Sequence, residues 1–413
     1  MSASLGIPAI GLVTPLGRGK AATAASLFAG SRAGLVWEGE HREVPPIPIP
    51  DDRLIAGMTV PVGRVEGALP EIPDHLSDYD CRNNRLMLAA LQEISDDVSA
   101  VADRYGRDRV AVVLGTSTAG IAEGEAAWAS FRQDGAWPPG YRYRQQETGN
   151  LADFAARMFG LTGPAYTVAT ACSSGAKSFA SARRLIALGL CDAAVVGGAD
   201  SLCRMTLGGF RSLEAVSARP CNPFSANRDG ITIGEGAAAF VLVRDLAPVM
   251  LLGIGEGSDA HHVSAPDPTG RGAETAMRLA LADAGLGAGD IAYVNLHGTA
   301  TALNDAMESR AVAAVFGPET PCSSTKAMTG HLLGAAGACE AAFLWLALHP
   351  EFNPSGLLPP HLWDGVPDAA LPRLALTEPG ATVPGSGPLA MLSNSFAFGG
   401  NNMVLVLGRG GSS

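Results

Sequence analysis

The chain has 413 residues, 47% of them apolar and 17% charged, with a formal net charge of -11. That apolar share supports a large buried core and excludes a disordered chain, and the acidic surplus is wrong for a protein whose main partner is nucleic acid. The seven cysteines, at 81, 172, 191, 203, 221, 322 and 339, form no C-x-x-C pair, which points to neither a disulfide framework nor a structural zinc site and fits a reduced compartment.

In chain order, the opening MSASLGIPAIGLVTPLG lacks a basic segment followed by a long apolar one, and no later stretch reaches membrane-spanning length without a charge. A cytoplasmic protein with no membrane insertion is expected. DRVAVVLGTST, from Asp108, reads as a buried strand running into a hydroxyl-rich turn. ATACSSGAKSF, from Ala169, sets Cys172 before an Ala-rich helix, and CDAAVVGGAD and GEGAAAFVLV read as further buried strands. The second half opens with VMLLGIGEG, repeats the first strand design as DIAYVNLHGTAT, opens a Gly- and Ala-rich helix at TGHLLG, and closes with FGGNNMVLVLG. Aligning Gly115 with Gly298 sets Leu114 opposite His297, and aligning TACSSG with TGHLLG sets Cys172 opposite His331. Three matched pairs in one order predict a unit used twice, residues 1–247 and 248–413, with helices on both faces of its sheets and buried between them.

A cysteine at a helix start meets free backbone N–H groups and the positive end of the helix dipole, so Cys172 is expected to favour thiolate. Cys191, Cys203, Cys221, Cys322 and Cys339 are read as small core residues. His297 follows an apolar strand, where α/β folds place chemistry, and His331 lies at a Gly-flanked helix start that favours neutral imidazole. His41, His75, His349 and His361 are read as satisfied structural groups, and His261 and His262 as a surface loop, so no metal is expected. Glu340, inside an apolar helix, needs a partner, and Lys326 is the candidate. That pair serves either the site's charge or structure alone.

TACSSGAKS, NLHGTATALNDAMES, STKAMTGHLLGAAGACEAA and NSFAFGGNN, in this order over nearly the whole chain, resemble the β-ketoacyl-acyl carrier protein synthases, in the Cys-His-His branch of the condensing enzymes. The resemblance implies an α/β thiolase fold, a five-layered αβαβα sandwich of two similar halves. It also implies that Cys172 takes an acyl chain as a thioester, and that His297 and His331 bind the malonyl thioester carbonyl during decarboxylation. The backbone N–H groups of Cys172 and Phe398 would form the oxyanion hole, with Phe398 as a gate. Thr299, Thr301, Phe398 and Gly399 would contact the substrate arm. Lys326 and Glu340 would form a supporting polar pair, and Asp305 would organise the loop. Ala302, Leu303 and Asn304 stand where the family commonly has Pro and Gly, and Ala397 where Gly is common. LHGTATALNDAMES and the Ser-Ser after Cys172 resemble synthases of specialised pathways, such as aryl polyene or type II polyketide systems, more than housekeeping fatty-acid enzymes.

No cofactor is expected beyond the phosphopantetheine arm that carries the substrates. Acyl carrier protein is the expected partner, with Arg142, Arg144 and Arg219 as candidate contacts, and a homodimer or a heterodimer with a chain-length factor is expected. Three other readings remain. Ser174 and Lys177 fit the S-x-x-K of acyl-serine hydrolases, a thiolase would carry a second catalytic Cys near the C-terminus, and a chain-length-factor-like subunit would lack the nucleophile.

Overall fold

Strand residues alternate between two apolar environments, and that alternation builds the layers. The computed structural model describes residues 4–38, 60–383 and 389–409, and His41 lies outside the described residues. The first half contributes strands β1 (Leu5–Thr14), β2 (Val110–Gly115), β3 (Ala165–Val168), β4 (Ala193–Asp200) and β5 (Gly236–Val243). The second contributes β6 (Val249–Ser258), β7 (Ile291–Asn295), β8 (Pro321–Ser323), β9 (Ala390–Ala397) and β10 (Asn401–Arg409). The helices that frame them are α1 (Arg82–Gln92), α2 (Ser95–Tyr105), α3 (Asn150–Phe159), α4 (Ser174–Ala187), α5 (Arg204–Ser212), α6 (Arg271–Ala284), α7 (Ala302–Phe316) and α8 (Ala336–Leu348).

From the centre outward the first half runs β1-β5-β4-β2-β3, its neighbours paired antiparallel, antiparallel, parallel and parallel. The second runs β6-β10-β9-β7-β8 with the same sequence of senses. One topology is therefore used twice. The copies join where β1 meets β6 antiparallel, at Leu5 with Leu251 and Gly6 with Met250. The matched sequence pairs fall on equivalent elements, since α4 follows β3 as α8 follows β8, and β5 corresponds to β10.

Along β2, Val110, Val112 and Leu114 face one core, shared with α1, α2 and α3, while Ala111 and Val113 face another, shared with α4 and α8. In β10, Met403, Leu405 and Leu407 join that same central core, and Val404 and Val406 pack with α6 and α7. The order of layers is outer helices, sheet, α4 with α8, sheet, outer helices, and α8 is buried along its whole length. Among the described residues no helix is long and apolar enough to cross a membrane.

Candidate active site

The two central helices approach closely at glycines. A Cβ on Gly175 would lie 2.9 Å from the Ala338 Cβ, and one on Gly337 would lie 2.7 Å from the Ala176 Cβ. Without those side chains α4 and α8 pack tightly and bring their N-terminal turns together. Cys172 precedes one helix and His331 the other, and His331 Nε2 lies 2.9 Å from Cys172 Sγ. The residue before each holds a positive φ, Ala171 at 51° and Gly330 at 71°, although Gly330, at ψ 174°, lies outside the left-handed helical region.

His297 arrives from the end of β7, its ring centre 5.3 Å from that of His331 and nearly perpendicular to it, at 86°. Its loop is held from the first turns of α7. The Glu308 carboxylate accepts the N–H groups of His297 and Gly298, each at 2.7 Å, and Asp305 accepts those of Ala300 at 3.2 Å and Phe224 at 2.7 Å. Ser324 Oγ donates to the Gly298 carbonyl at 2.7 Å. Gly298 has φ 41°, and a Cβ there would lie 2.5 Å from that of Ser324, so the position needs glycine. Lys326 and Glu340 form a buried ion pair. Lys326 Nζ also lies 3.5 Å from His297 Nδ1, a long contact that leaves Nε2 to carry the proton of the neutral ring. His331 Nδ1 has no hydrogen-bond partner among the described residues.

Burial pushes the Cys172 thiol up to about 12, with Lys326 pulling it down and Asp200 and Glu340 adding to the rise. The expected thiolate is therefore corrected. Helix α4 begins only at Ser174, two residues past Cys172, and desolvation is the largest influence on the thiol. Both histidines lie well below the ordinary imidazole range, chiefly through burial and then through Lys326, so each is neutral near pH 7, as expected for His331.

Cys172, His297, His331, Thr299, Thr301 and Phe398 line one pocket of about 380 Å³. The hydroxyls of Thr299 and Thr301 are 3.0 Å apart. Phe398 is 39% exposed, and its ring centre lies 5.5 Å from that of Phe210 on α5. Gly399, at φ 79°, donates its N–H to the Val263 carbonyl at 2.8 Å and lies outside the lining. Cys172, His297 and His331 bring a sulfur and two nitrogens within 4.8 Å of one another, but the Lys326 ammonium beside His297 opposes a divalent cation there.

The competing motif does not assemble. Ser174 Oγ donates to the Ala171 carbonyl, while Lys177 pairs with Glu256 at 3.2 Å. Arg142 pairs with Asp78, Arg144 with Asp153 and Arg219 with Asp229, and of these acids only Asp229 lines the pocket. His361 is buried between the Ser324 N–H and the Pro223 carbonyl, and His261 and His262 are exposed. Sequence reasoning missed Asp200, Glu308, Ser324 and Phe210. For Glu308 a signal exists: Asp305 and Glu308 are three apart on one face of α7.

The family models described as beta-ketoacyl synthase, N-terminal domain, and beta-ketoacyl synthase, C-terminal domain, match residues 6–247 and 249–359. Over 275 residues, 60% of this chain and 62% of the relative, the chain is 40% identical to 3-oxoacyl-[acyl-carrier-protein] synthase 2 of Rhizobium meliloti (strain 1021). It is 30% identical to the enzyme of that name from Staphylococcus aureus over 81% of this chain and 87% of the relative. The chain spans 62%, 57% and 63% of the length of the first three curated relatives it matches. Among solved structures it resembles a ketosynthase (ApeO), in complex with its chain length factor (ApeC), from Xenorhabdus doucetiae, with a TM-score of 0.89, 44% identity and 98% of each chain covered. The repeated halves and the layers around α4 and α8 are those of the thiolase fold. The chain belongs to the β-ketoacyl synthase family.

Proposed function

We propose that the chain is a 3-oxoacyl-[acyl-carrier-protein] synthase, extending a Cys172-bound acyl chain by two carbons from malonyl-carrier protein. The approach of His331 Nε2 to Cys172 Sγ, 2.9 Å at the floor of a pocket that His297 also lines, carries the reading. A buried thiol that stays protonated must lose its proton as it attacks, and neutral His331 is placed to take it and return it to the departing pantetheine thiol. The S–C bond to Cys172 forms as the donor thioester bond breaks. Malonyl thioester then loses carbon dioxide, and the electron pair left on its α-carbon is held as an enolate by imidazole N–H groups at the carbonyl oxygen. His297 offers Nε2–H. His331, whose Nδ1 has no partner among the described residues, is locked in neither tautomer and serves both half-reactions. The enolate carbon attacks the acyl-cysteine, and collapse of the tetrahedral intermediate, held by the N–H groups of Cys172 and Phe398, expels the cysteine sulfur as thiolate, which takes a proton from solvent.

Lys326 fixes the His297 tautomer and Glu340 neutralises Lys326 in the core. Thr299 and Thr301 take the pantetheine arm, Phe398 forms the gate, and Asp305 holds the loop. No cofactor of the protein's own is required. The halves 1–247 and 248–413 act as nucleophile-bearing and histidine-bearing units, a division supported by the repeated topology. Similarity to ketosynthases solved with a chain length factor, at 44% and 26% identity, supports a heterodimer with such a subunit and a specialised pathway over a homodimer. The partner would cover strand β3, which ends the sheet with Ala165 and Tyr166 exposed. Seven free, buried cysteines support a reducing, cytoplasmic setting.

Mass spectrometry after incubation with acyl-carrier proteins of graded chain length, with and without a co-expressed chain length factor, tests the reading. An acyl adduct on Cys172 that Cys172→Ala abolishes is expected, together with His331→Ala protein that still acylates slowly but forms no 3-ketoacyl product. An adduct on Ser174, or full condensation by His331→Ala, would refute it.

A further inference from the structure

The carboxylate of Asp200, at the end of β4, is fully buried and receives hydrogen bonds from both halves of the molecule. Oδ1 accepts the Thr116 hydroxyl and the Ser117 N–H, each at 2.7 Å, and the N–H and hydroxyl of Thr118, each at 2.9 Å. Oδ2 accepts the Gly334 N–H. The first donors sit in the turn after β2, and Gly334 lies between His331 and α8. Both turns lead to the reacting groups. Ser117 Oγ donates at 3.3 Å to the carbonyl of Ala171, the residue before Cys172. Gly334 follows Leu333, whose φ is 50°, two residues after His331. A Cβ on Gly334 would lie 2.5 Å from Ser117 Oγ and 2.9 Å from Asp200 Oδ2, so the turns meet over a bare backbone. Burial raises this carboxyl above its ordinary range, and the hydrogen bonds from Thr116, Ser117 and Thr118 oppose that rise by favouring the anion.

We propose that Asp200 is a positioning residue that clasps the Cys172 turn of one half to the His331 turn of the other, setting the separation of Sγ and Nε2. The proposal deepens the synthase reading and rests on it only where condensation is the readout. Its charge has a separate consequence at the thiol. Around Cys172 the Lys326 ammonium favours thiolate, the Asp200 and Glu340 carboxylates oppose it, and His297 and His331 are neutral. Removing the Asp200 charge should therefore make the thiol more reactive while misplacing it for catalysis.

Asp200→Asn gives opposite signs to the two effects. Its amide oxygen can keep the Thr116 and Thr118 donors, but the amide NH2 then faces the Gly334 N–H, donor against donor, and the clasp opens. A fall of one unit in the thiol pKa raises the thiolate fraction about tenfold and lowers its nucleophilicity about threefold, so iodoacetamide labelling of Cys172 at pH 8 should run about threefold faster. Condensation should fall by about tenfold or more, with the circular-dichroism spectrum unchanged. Labelling and condensation that fall together, or condensation at the wild-type rate, would overturn the proposal. If the Asn variant does not fold, Thr118→Val removes one donor and keeps the charge: condensation should drop with no gain in labelling, and an unchanged rate would overturn it. Labelling is independent of the substrate, so a wild-type protein that condenses nothing would sink the synthase reading and leave the charge effect still measurable.

Discussion

Ala171 and Gly330 stand in equivalent turns before Cys172 and His331, and both hold positive φ. Glycine takes that conformation freely, whereas an L-residue with a Cβ gives up about 1 kcal/mol or more. Ala171→Gly relieves that strain against about 0.5–1 kcal/mol of added freedom in the unfolded chain. Urea unfolding should show a stability gain of up to about 1 kcal/mol, and a loss would mean that the Ala171 methyl contributes packing beyond the strain it carries. At this scale Cys172, His297 and His331 were legible because each stands at a junction between a strand or turn and a helix, and two of them align across the duplication. Asp200 was not. Nothing in GGAD distinguishes a strand end from a clasp, because its donors come from residues 116–118 and from Gly334 on the other half. The charge state of Cys172 was misread for a related reason: the helix start is local in sequence, while desolvation is a property of the surrounding layers.

Helix α7 sets the pH behaviour of the site. Asp305 and Glu308 lie on its inner face, and burial raises Asp305 to about 6 and Glu308 to about 7. For stability the sign is as follows: between the unfolded value, about 4.3, and about 7 the unfolded chain ionises Glu308 while the folded one keeps the proton, so this group lowers stability as pH rises through that window. For activity the sign reverses, because only the carboxylate accepts the N–H groups of both His297 and Gly298 with both oxygens. Condensation should therefore fall as pH drops through about 7. The two histidines, already neutral, do not titrate there. Glu308→Gln turns an acceptor oxygen into a donor against a backbone N–H, and it should cost about tenfold or more in rate and move the acid limb of the pH–rate profile from about 7 down toward about 6, where Asp305 titrates. An unshifted limb in that variant would assign it to another group. The sequence carried the i, i+3 acid pair, but whether those acids faced solvent or the loop depended on how α7 packs, which one helix alone does not encode.

For the whole molecule, the central core decides whether two similar halves behave as one. The sheet joins them through two residue pairs between β1 and β6. The coupling comes from α4 and α8, which share a buried cluster with strands of both halves, Phe179 and Phe240 from the first alongside Leu344, Met391 and Leu405 from the second. The duplication and the buried helices were legible from matched motifs and Gly- and Ala-rich stretches, whereas the sheet order was not, since strand pairing joins residues far apart in the chain. If the shared core governs, neither half unfolds alone, and far-UV circular dichroism and tryptophan fluorescence should report one coincident transition. Gly337→Ala tests the coupling directly. Its methyl would lie 2.7 Å from both the Ala176 Cβ and Ser395 Oγ, so overpacking should lower stability by about 1–3 kcal/mol and shift both signals together. Because the same contact brings Cys172 to His331, condensation should fall with it. Two separated transitions, or a Gly337→Ala protein of unchanged stability and activity, would show that the halves are held together elsewhere than at the crossing of α4 and α8.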